Sequence, residues 1–233
     1  MIDPLFQVKV QCPCCENTFS SSRVRPSFRK ATRTDSDFCS HYRDEVNPDF
    51  YVVRVCPNCG YASTENSLQE LAPKQKELYK NRIGKSWVRR DYGGQRTWEE
   101  ALDCYKLALL CAQTVGDKDR VTAGLLHHIA WMYRLRDNQE QERRFLRYAL
   151  EAYIRVYELE GVNINNARLM YLIGELYRRL DEPYEAVRWF ARVVNDKRIM
   201  DAGMIKASRE AWQNIRQEML EKKMELPDEV ELL

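Results

Sequence analysis

Between Pro73 and Pro183 the chain has no proline, and its few glycines form no phosphate-cradling loop, since Gly93-Gly94 stands alone. It has no apolar run near the roughly eighteen residues that a membrane-crossing helix needs. Neither an HExxH pattern nor a nucleophile elbow is present. Charge of one sign is also missing: 37 basic against 35 acidic residues leave a net charge of +2 on 233 residues. Any nucleic-acid contact must therefore come from a local patch and not from the global field. The N-terminus, MIDPLFQVKVQC, has neither the basic start nor the apolar middle of a secretory signal. A cytoplasmic protein without a membrane partner is the expectation. In that compartment thiols stay reduced, so cysteine pairs favour metal binding over disulfides.

Six of the eight cysteines, Cys12, Cys14, Cys15, Cys39, Cys56 and Cys59, lie in the first quarter of the chain, together with most of the prolines. Short β-like runs, Phe6 to Val10 and Tyr51 to Val55, lead into Cys12-Pro13-Cys14-Cys15 and Cys56-Pro57-Asn58-Cys59-Gly60-Tyr61. Each pair of outer thiols is separated by two residues, a knuckle that aims both sulfurs at one ion while turn N–H groups donate to the thiolates. Two knuckles complete a tetrahedral four-sulfur site, so Cys12, Cys15, Cys56 and Cys59 are the expected ligands of one structural zinc per chain. Gly60 suits the left-handed position that closes such a turn. The alternatives are reduced thiols without metal, a redox disulfide, or iron in the same sulfur cage.

Cys14 is left as an exposed or outer-shell thiol. Cys39 and His41 could replace a ligand or hold a second ion, with Asp35 and Asp37 adding oxygens. The reading preferred for them is a small buried thiol beside a surface histidine in a loop.

From about Leu68 the grammar changes to apolar residues at three-and-four spacing, with candidate helices over 74–91, 97–115, 119–136, 138–160, 165–180, 183–195 and 201–223. In Ala167 to Lys197, counting Ala167 as position one, Gly174 falls at eight, Tyr177 at eleven, Ala186 at twenty, Phe190 at twenty-four and Val193 at twenty-seven. That segment resembles a tetratricopeptide repeat. A weaker unit has Ala123, Ala130, Tyr133, Leu146 and Ala149, and a degenerate helix has Ala101, Tyr105 and Ala108.

The expected fold is a small zinc-ribbon-like β module followed by an all-α, tetratricopeptide-like helical-repeat domain. Its parts are a four-cysteine module at 1–67, a basic connecting helix at 68–96, helical hairpins with a capping helix at 97–223, and an acidic tail at 224–233. On this register His127, Trp131 and Arg134 would line one stripe of a partner groove, and Tyr171, Glu175 and Arg178 its neighbour. For Trp131 and Tyr171 taken singly, a core role at helical spacing is the better reading, and for His127 an ordinary helix-face pair with His128.

The whole chain also resembles a family of uncharacterised bacterial proteins, mostly from Firmicutes and catalogued as a domain of unknown function. The resemblance rests on the Cys12-Pro13-Cys14-Cys15 turn, Asp37-Phe38-Cys39, Asn47-Pro48 with Tyr51, and Val55-Cys56-Pro57-Asn58-Cys59-Gly60-Tyr61. It implies an intracellular protein with a zinc-ribbon-like N-terminus and tetratricopeptide-like helices, and no established activity.

The leading functional expectation is a non-catalytic scaffold or adaptor for a protein or peptide partner, with self-association open. The runner-up is a nucleic-acid-binding protein that uses Arg23, Arg25, Arg29 and Lys30 with Arg89 and Arg90 on phosphates, and Phe28, Tyr79, Trp87 and Tyr92 as stacking partners. A third reading is a metal- or thiol-dependent enzyme.

Overall fold

The structure, a computed structural model, describes residues 2–43, 46–160 and 166–225. The break expected at 161–166, apart from Asn166, and residues 226–233 of the acidic tail lie outside the described residues. The chain divides into two compact units, residues 1–145 and 146–233. The cysteine module, the connecting segment and the first helices therefore belong to one unit.

The first unit opens with β1 (Leu5–Gln11) and β2 (Thr18–Val24), antiparallel with Leu5 opposite Val24 and Gln11 opposite Thr18. A second hairpin pairs β3 (Ala31–Thr34) with β4 (Ser40–Tyr42), and a third pairs β5 (Arg54–Val55) with β6 (Ala62–Ser63). Strands of two to seven residues in three separate two-stranded sheets cannot bury a core by themselves. The β5–β6 hairpin and the residues before it share a core with the helices instead. Val53, Val55, Tyr61 and Tyr79 bury together with Ala101, Tyr105, Ala108 and Cys111 of the helices.

Three helices supply that partner surface: α1 (Pro73–Arg82), α2 (Trp98–Val115) and α3 (Asp119–Arg134). Thr97 and Glu100 cap α2 reciprocally, at 3.2 and 2.9 Å, and Gly116 ends it with φ +65°. The sequence expects one helix over 74–91, but α1 stops at Arg82. Ile83 leaves helical geometry at φ −125°, ψ −51°, a short 3-10 turn follows, and Trp87 folds back to donate its indole N–H to the Pro57 carbonyl at 3.1 Å. Docking on the second knuckle decides the conformation there, over local helix propensity.

Helix α4 (Gln139–Glu160) leads into the second unit, where α5 (Ala167–Arg179), α6 (Pro183–Asn195) and α7 (Ala202–Glu221) pack on one another. The repeat is visible in how its helices turn. After α3, Asp137 takes φ +52°, its N–H donates to the Arg134 carbonyl at 3.0 Å, and Asn138 N–H donates to Tyr133 O at 3.1 Å. After α5, Asp181 takes φ +62°, bonds Arg178 O at 3.1 Å, and Glu182 N–H donates to Tyr177 O at 3.0 Å. Tyr133 and Tyr177 occupy the same repeat position, so the helical region is a repeat architecture with unusually long units.

Close helix crossing in that repeat rests on Gly174. A Cβ there would lie 2.9 to 3.1 Å from three ring carbons of Phe190, which is fully buried. Gly174→Ala should gain about 1 kcal/mol of helix propensity but lose about 1–3 kcal/mol to overpacking. A lower urea midpoint for the variant is the expected net result; a raised midpoint would show that Phe190 can move aside.

No helix among the described residues is long and apolar enough to cross a membrane.

Candidate metal centre

The two knuckles are built alike. Cys12 N–H donates to the Asn17 carbonyl at 3.0 Å and Glu16 N–H to Cys12 O at 2.9 Å; in the second turn Cys56 N–H donates to Tyr61 O at 3.0 Å and Gly60 N–H to Cys56 O at 2.8 Å. The fifth residue of each turn is left-handed, at φ +63° for Glu16 and +76° for Gly60. Glycine is demanded only in the second. A Cβ on Gly60 would stand 2.3 Å from Trp87, whereas Glu16 projects outward to meet Lys76 at 2.6 Å.

Each turn sits at the tip of a hairpin, β1–β2 and β5–β6, and the tips face one another. Sγ of Cys12 lies 3.6 Å from that of Cys59, Sγ of Cys15 lies 3.7 Å from that of Cys56, and all four sulfurs lie within 4.8 Å of one another. A tetrahedral zinc with bonds of about 2.3 Å has sulfur–sulfur edges of about 3.8 Å. The cluster fits a structural zinc.

The surroundings favour it too. Asn58 Nδ2 donates to Cys15 Sγ at 3.6 Å, and Tyr79 O–H holds the Cys59 carbonyl at 2.7 Å. Without an ion the thiols of Cys12, Cys56 and Cys59 perturb one another. Hydrogen bonding from Cys12 and Cys59 pulls Cys56 down to about 2, the bond to the Cys56 thiolate pushes Cys12 up to about 12, and bonds to Cys12, Cys14 and Cys56 push Cys59 upward. A divalent cation reverses this and holds all four as thiolates.

Cys14 is buried against the same core, not exposed, and a hydrogen bond with Cys59 lowers its pKa. Cys104 and Cys111 are fully buried in α2, and Cys111 Sγ accepts from Ala62 N–H at 3.4 Å. Cys39 is fully buried and desolvation raises its thiol to about 12. His41 is half-buried on β4.

The stripe expected to form a groove is occupied from within. His127 Nε2 lies 3.3 Å from Asp37 Oδ2, and Trp131 Nε1 donates to the same oxygen at 3.2 Å. Arg134 donates to Asp37 through both terminal nitrogens, at 2.9 and 2.7 Å, to Asp35 at 3.0 Å and to Glu142 at 2.7 Å. Asp37 has no solvent exposure, and burial lowers the pKa of His127 despite the carboxylate beside it. These three residues bind the β3–β4 hairpin, not a free groove. In the second unit Tyr171 packs on Phe190 at 5.5 Å, and buried Glu175 takes Arg178 at 2.8 Å and Arg179 at 2.9 Å.

The basic residues divide. Arg23 pairs with Glu65, Arg25 donates to the Asp3 carbonyl at 2.9 Å, Arg29 donates to Val24 O at 2.7 Å and Arg90 to Tyr92 Oη at 3.2 Å; Lys30 and Arg89 are exposed. Of the expected stacking partners, Tyr79 and Tyr92 are buried and Trp87 covers Gly60, so their faces are not offered to bases. Arg96, read from sequence as part of a basic run, is instead a buried tie. It donates to the carbonyls of Phe50, Val53 and Tyr92 at 2.8 to 2.9 Å. Nothing in the polar, glycine-rich approach Asp91-Tyr92-Gly93-Gly94-Gln95 signalled that role.

Two knuckles on small hairpins that bring four thiols together, carried into a helical repeat, define a zinc-ribbon-like protein with tetratricopeptide-like helices. The chain belongs to the bacterial family described as "Uncharacterized protein conserved in bacteria (DUF2225)", whose model matches residues 5–215. A comparison with curated proteins found no match.

Proposed function

We propose that the protein is a non-catalytic cytoplasmic adaptor, in which the zinc fixes the N-terminal hairpins and the helical face they create receives a protein or peptide partner. The observation that carries this reading is a shallow recess of about 450 Å³ in the first unit. It lies where β4 and the start of α2 come together with the end of α3. Tyr42, Phe50, Trp98 and Leu135 give it apolar surface, with Glu99 and Arg136 on its lining. Aromatic and arginine side chains around a concave patch are the usual anchors of a protein interface. The metal centre supports the same reading, because four cysteine ligands fill the coordination of zinc and leave no position for a substrate.

Glu99 and Arg136 are well exposed and 3.7 Å apart, so changing one should leave the fold intact. A photo-crosslinking side chain at position 99 in the full chain, expressed in cells, should give one discrete adduct that is missing when the same group is placed at exposed Arg209. Arg136→Glu should reduce that adduct about tenfold, the effect of removing one anchor worth about 1.4 kcal/mol. Equal adducts at positions 99 and 209, or an adduct indifferent to Arg136→Glu, would overturn the reading.

A further inference from the structure

Three donors of different chemistry meet at the tip of the β3–β4 hairpin. Asp35 opens the turn and Cys39 closes it, with Asp35 N–H donating to the Cys39 carbonyl at 2.7 Å and Phe38, at φ +69°, bonding back to Asp35 O at 2.9 Å. His41 follows two residues later on β4, and strand alternation sends its side chain to the same side as that of Cys39. The carboxylate, thiol and imidazole donor atoms lie within 4.8 Å of one another. Oxygen, sulfur and nitrogen together form a donor set for a borderline divalent ion such as zinc, and this set shares no residue with the four-cysteine centre.

A second observation comes from His41. Its Nε2 lies 2.9 Å from Asp35 Oδ2 and 3.0 Å from Nη2 of Arg33. One imidazole nitrogen cannot donate to the carboxylate and accept from the guanidinium at the same time. An ion between the three donors removes the conflict by taking the nitrogen lone pair and the carboxylate oxygen. Arg33 also pairs through Nε with Asp35 Oδ1 at 3.3 Å, but its side chain is 69% exposed, so an ion on the carboxylate would displace it into solvent.

Arg134 is the argument against a cation here, since it touches Asp35. Its charge, however, is already met by two bonds to Asp37 and one to Glu142. What remains is the arrangement usual around metal-ligating carboxylates, which are themselves hydrogen-bonded by an outer partner.

We propose that Asp35, Cys39 and His41 form a second zinc site, with three protein ligands and a fourth position filled by solvent. His41 also lines the 450 Å³ recess, which gives that water a route to bulk solvent. The ion would fasten a hairpin whose only covalent ties are its two ends, and hold Asp35 and Asp37 over α3.

The test is metal stoichiometry on the full chain. After equilibrium dialysis against buffered micromolar zinc, the wild-type protein should hold two ions per chain. His41→Ala and Cys39→Ser should each hold one. Cobalt substitution separates the centres: the four-thiolate spectrum should persist in both variants while the spectrum of the mixed site disappears. Asp35→Asn keeps the side-chain shape and should weaken the second equivalent at least tenfold, which guards against a variant that merely misfolds. One equivalent in the wild-type protein, or two retained in His41→Ala, would overturn the proposal. Loss of the four-thiolate spectrum in the wild-type protein would instead count against the first centre.

Discussion

Replacing Cys56 with serine is expected to release the zinc of the knuckle site and to unfold much of the first unit. The reason lies in how few bonds hold the knuckles. Strands β5 and β6 are two residues long, and the turn between them has the Cys56–Tyr61 and Gly60–Cys56 backbone bonds and two side-chain bonds, from Tyr79 to the Cys59 carbonyl and from Trp87 to that of Pro57. Yet Cys12, Cys14, Cys56 and Tyr61 are part of the core that also buries Tyr79 and Tyr105. Losing the ion frees the hairpin tips and opens that core to water. Structural zinc contributes about 10–16 kcal/mol to folding in zinc-finger peptides. Even half of that equals the whole stability of an ordinary domain, about 5–15 kcal/mol.

Thermal unfolding followed by near-ultraviolet circular dichroism, with and without a strong chelator, checks this. Chelation of the wild-type protein and the Cys56→Ser variant should give the same early transition, with zinc absent from both. A Cys56→Ser protein that melts within about 1 kcal/mol of wild type would show that the helices hold the hairpins without an ion. Acid should act like the chelator. Binding zinc converts thiols to thiolates and releases protons, so affinity falls as pH falls. In the metal-free cluster hydrogen bonding among the thiols raises Cys12 and Cys59, so the group as a whole takes up protons when the ion leaves.

What the sequence carried and what it did not divide along the length scale of the information. The knuckle ligands were legible because a two-residue gap, a preceding strand and Gly60 are local signals. The repeat was legible from Gly174, Tyr177, Ala186 and Phe190 because close helix crossing imposes residue sizes at fixed offsets. Local signals failed where a distant partner decides. Residues 83–91 have helical composition, but Trp87 bonds Pro57 thirty residues away and the helix ends. Glu16 in the left-handed position of the first knuckle carries no glycine signal; it is tolerated because its side chain reaches Lys76 sixty residues away.

The groove stripe shows the same limit more sharply. His127, Trp131 and Arg134 fall correctly on one helix face, but periodicity cannot say what covers a face. Here it is Asp35 and Asp37, more than ninety residues earlier. The segment Asp37-Phe38-Cys39 stood out as possible metal donors and in the family resemblance, but its carboxylate proves to be the centre of the buried polar cluster. No feature of the sequence joined Asp37 to Arg134.

That cluster carries the other large expected effect: Arg134→Met should destabilise the first unit by about 3–5 kcal/mol, the cost of breaking a buried ion pair from one side. Arg134 is 13% exposed and Asp37 not at all, so water cannot replace the two guanidinium bonds that the variant removes. Methionine keeps the volume of the stem, which isolates charge and hydrogen bonding from packing. The sign of the pH dependence follows. A carboxylate deprived of its guanidinium holds its proton more tightly in the fold than in the unfolded chain, so lowering the pH neutralises Asp37 and shrinks the penalty. Asp37→Asn in the same chain should do so at neutral pH. The double variant is expected to be less unstable than the sum of the two single ones, by about 1–3 kcal/mol of coupling. Urea unfolding of the four proteins at two pH values measures each of these quantities. Strict additivity, or a penalty that grows on acidification, would mean that Arg134 acts through Glu142 at the start of α4 and not through the hairpin.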